Sequence, residues 1–283
     1  MGKIITATPD TWQNAINEAV AGGVDVVKFE GEFPRVTIYN IEPENMVELD
    51  LSEAHIVSYA TQNTGNWRHY KGLFKGATYT QAQIQGSHDL EFDSCAFDTS
   101  EIGNCGLGCS RNSEKLYVHD CLFTGAGGDG SDFSSCRKVR VEHCRYANYV
   151  STDALHSDAL QMWQEAGYWT IEDIAIRYNT VVAQAQGFGI YSDNSSIAGI
   201  SLVANTVSTI MAHAGCFLNI LEPPARNSRD AEEWGCDNEC RNNTGYTMVG
   251  CPLGWAGAHW RFESMVGAPL LIEGNIEGPN GLG

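Results

Sequence analysis

The chain has 283 residues, enough for one domain with a sizeable core, and nothing in it calls for two. Hydrophobic residues make up 43% and charged ones 18%, a globular balance that excludes a disordered polymer. A formal charge of −18, from 35 acidic against 17 basic residues without a long basic run, excludes nucleic acid as a natural partner.

No window reaches the ~18 apolar residues of a membrane span, so no membrane insertion is expected. The opening run Met1-Gly2-Lys3-Ile4-Ile5-Thr6 carries no signal-peptide apolar region. The expected settings are therefore a cytosol or a particle assembled in it or, after loss of a leader, the extracellular space.

In chain order, residues 8–22 predict one amphipathic helix. Thr8 serves as N-cap and Pro9 stands in the first turn; Trp12, Ile16, Ala19 and Val20 share a face, and Gly22 and Gly23 supply the stop. The period then changes: Val24, Val26 and Phe29, and later Val47, Leu49 and Leu51, alternate with polar residues as half-buried strands do. Residues 58–76 break that alternation and read as a long surface loop.

A repeat follows. Ser87-His88-Asp89-Leu90-Glu91-Phe92-Asp93-Ser94-Cys95 returns as Ser113-Glu114-Lys115-Leu116-Tyr117-Val118-His119-Asp120-Cys121, then around Val139, Ile174 and Ile200. The first apolar residues Leu90, Leu116, Val139, Ile174 and Ile200 stand 26, 23, 35 and 26 positions apart. A period in the twenties with strand alternation inside each unit means a solenoid of stacked coils. One equivalent position reads Cys95, Cys121, Cys144, Asn179, Asn205. The thiols there are expected to pack as small hydrophobes and the amides to bond the backbone of a buried bend. The long step places its surplus residues at 149–169, so one coil has enlarged loops, and such insertions commonly line a binding surface.

The repeat, its Asn positions and the leading helix resemble the right-handed parallel β-helix superfamily, the pectate-lyase-like fold. The resemblance implies an all-β solenoid with residues 1–23 as an N-terminal capping helix, 24–221 as the parallel β-helix, and 222–283 as a loop-rich, irregular C-terminal cap with a final strand. In the cap, the disulfide or free state of Cys216, Cys236, Cys240 and Cys251 is left open, since their spacing matches no common zinc pattern.

The chemistry-bearing stretch is Asp153-Ala154-Leu155-His156-Ser157-Asp158-Ala159-Leu160-Gln161-Met162-Trp163, in the widened coil. Alternation sends Leu160 and Met162 inward and Gln161 and Trp163 outward. With Leu160 stacked on Ile190 of the next coil, Gln161 would neighbour Tyr191 and Trp163 would neighbour Asp193, an aromatic-and-amide surface suited to a sugar ring. Asp153, His156 and Asp158, joined by Asp132 of the preceding coil, are the candidate catalytic groups, with Asp129 beside them in substrate binding. Clustered carboxylates suit glycoside hydrolysis; with His156 as base and a cation on the acids, the same set could abstract the proton next to a uronic-acid carboxyl. The competing reading is that His156 and Asp158 only satisfy turn backbone. No resident metal or cofactor is expected, calcium being the cation the acids would take. The set resembles glycan-degrading and glycan-binding β-helices of phage tailspikes and their bacterial relatives, and that resemblance implies a polysaccharide partner, a homotrimer and a virion tail as the setting of a tailspike-like depolymerase. The expected function is a polysaccharide-degrading hydrolase or lyase, with a non-catalytic receptor-binding spike and a secreted lyase or epimerase as alternatives.

Overall fold

The computed structural model describes residues 2–76, 80–99, 105–125, 128–150, 157–184, 186–191 and 198–209, and the short strands 216–219, 239–241, 244–247, 260–263, 271–273 and 276–278. The protein is an all-β parallel solenoid with a single helix among the described residues. Each coil contributes three strands, stacked on the coils before and after by parallel pairing. Two of the three ladders join in a 19-stranded sheet, and the third forms a nine-stranded sheet that includes Thr80–Gln85, Cys105–Ser110, Asp129–Ser134, Asp158–Trp163 and Gln186–Tyr191.

The corners explain how so short a repeat closes. Ser94, Asp120, His143, Tyr178 and Ala204 all have φ between 54° and 58°, each one residue before the Cys or Asn position. A single left-handed residue turns the chain sharply, at a cost of about 1 kcal/mol for a non-glycine. The corners are held by their neighbours: the Ser94 N–H donates to the His119 carbonyl at 3.1 Å and the Tyr178 N–H to the Val203 carbonyl at 3.0 Å.

Inside, like stacks on like. Phe74, Phe97, Phe123 and Tyr146 form a column with ring centroids 4.9, 4.8 and 4.6 Å apart, matching the strand spacing of about 4.8 Å. The thiols of Cys95, Cys121 and Cys144 are free and buried. Farther along, Asn179 Oδ1 accepts from the Cys144 N–H at 2.8 Å, and its Nδ2 donates to the Val141 carbonyl at 2.8 Å and to Asn205 Oδ1 at 3.1 Å. The predicted amide ladder is present.

Several expectations need correction. The helix runs Trp12–Val20 with Thr11, not Thr8, at its N-cap; the Thr11 side chain instead accepts from the Thr8 N–H at 2.9 Å. Ala15, Ile16 and Ala19 bury against the first coil. Residues 58–76 are not a loop but the strands Tyr59–Gln62, Gly65–Tyr70 and Leu73–Lys75. Their pattern was hidden because an inward position holds a polar ring: His69 is fully buried, bonded to the Tyr59 hydroxyl and stacked on Phe92 at 4.2 Å. Left-handed Asn63, Asn66 and Lys71 also shift the alternation. Beyond residue 221 the described strands carry on the ladders, Glu239–Arg241 pairing with Ala198–Val203 and Trp260–Glu263 with Cys216–Asn219.

Candidate functional site

On the outer wall of the nine-stranded sheet lies a groove of about 430 Å³, lined by side chains from four successive coils. The strand register fixes its long axis. Gln83 stands beside Gly108, Gly108 beside Asp132, Asp132 beside Gln161 and Gln161 beside Gly189. A parallel track runs Gln85, Ser110 and then, one coil on, Ser134 beside Trp163. Period-2 alternation puts these residues outward while Leu107, Phe133, Leu160 and Met162 fill the core.

Glycine shapes the groove twice. A Cβ on Gly130 would meet the Ala159 carbonyl oxygen at 2.4 Å, so the backbones at the groove's edge approach as only glycine allows. That close approach accompanies a hydrogen bond from the Asp158 N–H to Asp129 Oδ1 at 2.8 Å. Gly108 has an ordinary φ and leaves a gap in the wall beside Asp132, where an added Cβ would meet Thr80 Cγ2 at 3.2 Å and Cys105 Sγ at 3.9 Å.

Asp129 and Asp132 both line this groove: within the strand Asp129–Ser134 the two residues between them, Gly130 and Ser131, are both buried, so strict alternation is interrupted there. Burial pushes the Asp129 carboxyl up to about 7; the Asp158 N–H works against that shift and the Asp132 charge adds to it. Burial likewise raises Asp132, to about 6, opposed by the Trp163 indole, whose Nε1–H donates to Asp132 Oδ1 at 2.9 Å. Between those two values the pair therefore favours Asp129 protonated and Asp132 ionised. The Cys105 thiol beside them is raised by burial and by both carboxylates, and stays protonated.

The enlarged coil walls one side. Residues 164–171 fold back across the corner: the Glu165 N–H donates to Ser135 Oγ at 2.8 Å and the Trp169 N–H to Asn112 Oδ1, two coils earlier, at 2.7 Å. Arg137 stacks over the Trp169 ring at 4.8 Å. Glu165 thereby joins the groove lining.

The candidate residues divide as follows. Asp129, Asp132, Gln161 and Trp163 come together in the groove, with Trp163 37% exposed. Asp158 is fully buried; its Oδ2 accepts from Gln161 Nε2 at 3.1 Å, which holds that groove side chain in place. The inter-coil stacking also differs from expectation by two residues: Leu160 pairs with Phe188, which puts Gly189 beside Gln161 and Tyr191 beside Trp163. Asp153, His156 and Asp193 lie outside the described residues, as do Cys236 and Cys251. Sequence reasoning missed Thr80, Gln83, Gln85, Cys105, Ser110 and Arg111; aligning the third strand of every coil would have placed Gln83 and Gln85 level with Asp132 and Ser134.

One other cluster brings ligand-type atoms together among the described residues: Glu91, Asp93 and His119, within 4.8 Å on a different wall. Arg68 already bridges Glu48 at 3.3 Å, Glu91 at 3.1 Å and Asp93, so the protein supplies its own cation there. No described helix is long and apolar enough to cross a membrane.

No family model matches the chain, and no curated protein matches it. Among solved structures, the chain is similar to an alginate lyase from Paenibacillus sp. str. FPU-7, at 15% identity and a TM-score of 0.46, with 98% of this chain and 96% of that chain covered.

Proposed function

We propose that the groove binds a polysaccharide along the solenoid axis and hydrolyses it with Asp129 as general acid and Asp132 as base or nucleophile. The observation that carries this reading is the pair itself: two carboxyls on one strand, in a groove beside an exposed indole, held at about 7 and about 6 by their surroundings. Environments that part the proton affinities of neighbouring carboxyls suit one as donor and the other as acceptor. Asp129 gives its proton to the departing glycosidic oxygen as the bond to the anomeric carbon breaks. In the inverting form Asp132 takes a proton from the water that attacks that carbon; in the retaining form it attacks first and is released by water. The strand spacing of about 4.8 Å suits sugar units laid across successive coils, with Trp163 under a ring face and Gln161, Gln83 and Gln85 to bond hydroxyls. Two acids and Glu165 against the single Arg111 favour a neutral sugar at the point of cleavage.

The tailspike-like setting and the trimer go with this proposal on the strength of the resemblance alone; a monomer in sedimentation equilibrium would remove the trimer. The central test is a panel of polysaccharides assayed for new reducing ends. Their absence with every glycan would refute hydrolysis, and an unsaturated product absorbing in the ultraviolet would replace it with elimination.

A further inference from the structure

Trp163 joins the two parts of the site. Its ring is exposed to the groove while its Nε1–H is spent on Asp132. An indole on a binding wall needs no such bond to serve as a platform, since its N–H can reach water. Here it is aimed at one oxygen of one carboxyl of the pair, whereas Asp129 receives, among the described residues, a backbone N–H, that of Asp158.

We propose that Trp163 is a positioning residue for the reaction: its indole N–H keeps Asp132 as the ionised member of the pair and leaves Asp129 as the acid, and a sugar laid on its ring shields that bond from water. The inference rests on the hydrolytic reading of the groove. An N–H donor stabilises a carboxylate over the neutral acid, and exclusion of water strengthens such a bond because the competing solvent partner is gone. Among the described residues, the Trp163 indole is the one side-chain donor to Asp132. Asp129 on the same strand, held protonated by burial, brings no positive charge; the thiols of Cys105, Cys109 and Cys136 stay neutral, pushed up by burial. Asp158 is fully buried, and Glu165 and Arg111, of opposite sign, both line the groove.

Trp163→Phe keeps an aromatic face and deletes the donor. Aspartate labelled with carbon-13 at its carboxyl reports the Asp132 titration directly, assigned by Asp132→Asn. The expected result is an Asp132 midpoint about one pH unit higher in Trp163→Phe. The acid limb of kcat/KM shifts alongside, peak activity falls about twofold as the two limbs converge, and KM is nearly unchanged. Trp163→Ala raises KM as well. An Asp132 midpoint that is the same in Trp163→Phe and the parent would overturn the inference. A parent protein inert on every glycan would instead sink the hydrolytic reading, while the labelled-carboxyl comparison still decides what Trp163 does to Asp132.

Discussion

Replacing Asp129 by Asn should make the protein more stable and less useful, and the gain should depend on pH in a defined way. The carboxyl moves from an ordinary 3.8 to about 7 on folding, burial being the main cause. Between those values the folded state holds a proton that the unfolded chain has released, so stability falls as pH rises through the window, and above about 7 the full cost is present. The displacement corresponds to about 4 kcal/mol as a ceiling, and solvent reaching the half-buried groove lowers the usable figure to roughly 1–3 kcal/mol. Asn keeps the shape and an acceptor for the Asp158 N–H, now 2.8 Å away, but has no charge to desolvate. In urea unfolding the variant should therefore exceed the parent by roughly 1–3 kcal/mol at pH 8 and match it at pH 4, while losing hydrolytic turnover. Stability curves that run parallel from pH 4 to pH 8 would show that Asp129 is not strained by burial and would remove its claim to be the acid.

With Asp132 ionised above about 6 and Asp129 protonated below about 7, kcat/KM should be bell-shaped and narrow, peaking between those values; a plateau from pH 5 to pH 9 would exclude the pair as acid and base. Gly108→Gln should fill the gap beside Asp132 and weaken oligosaccharide binding at least tenfold without lowering thermal stability, because the position faces the groove and needs no left-handed backbone; titration calorimetry decides it, and unchanged affinity would place the substrate elsewhere. Asn179→Ala should cost about 3 kcal/mol or more by urea unfolding, since it strands the Cys144 N–H and the Val141 carbonyl in the core. A cost under about 1 kcal/mol would mean that the ladder is ornamental.

Much of the solenoid was legible because its period is local: each coil is one stretch of sequence in which alternation, corner residue and ladder residue recur together. The exceptions are instructive. At 58–76 a coil was read as a loop because His69 occupies an inward place, and only its bond to Tyr59 and stack on Phe92 make that ring acceptable inside. In the site, outward Gln161 and Trp163 followed from alternation alone; Asp158, read as a turn residue, is instead the first residue of the strand Asp158–Trp163, on the inward parity of Leu160 and Met162, and is fully buried.

Outside residues 58–76 the sequence by itself determined the coil and which face of its strands meets solvent, since these depend on residues within one repeat. Only the tertiary structure decided which coils lie level with one another, and hence that Asp132 adjoins Gln161 and bonds Trp163. It also decided that Asp129 and Asp132 would be the perturbed pair. Proton affinity at a site is set by everything packed around it, and here the packing comes from coils 24 to 31 residues away in the chain, a distance at which no local pattern reports burial.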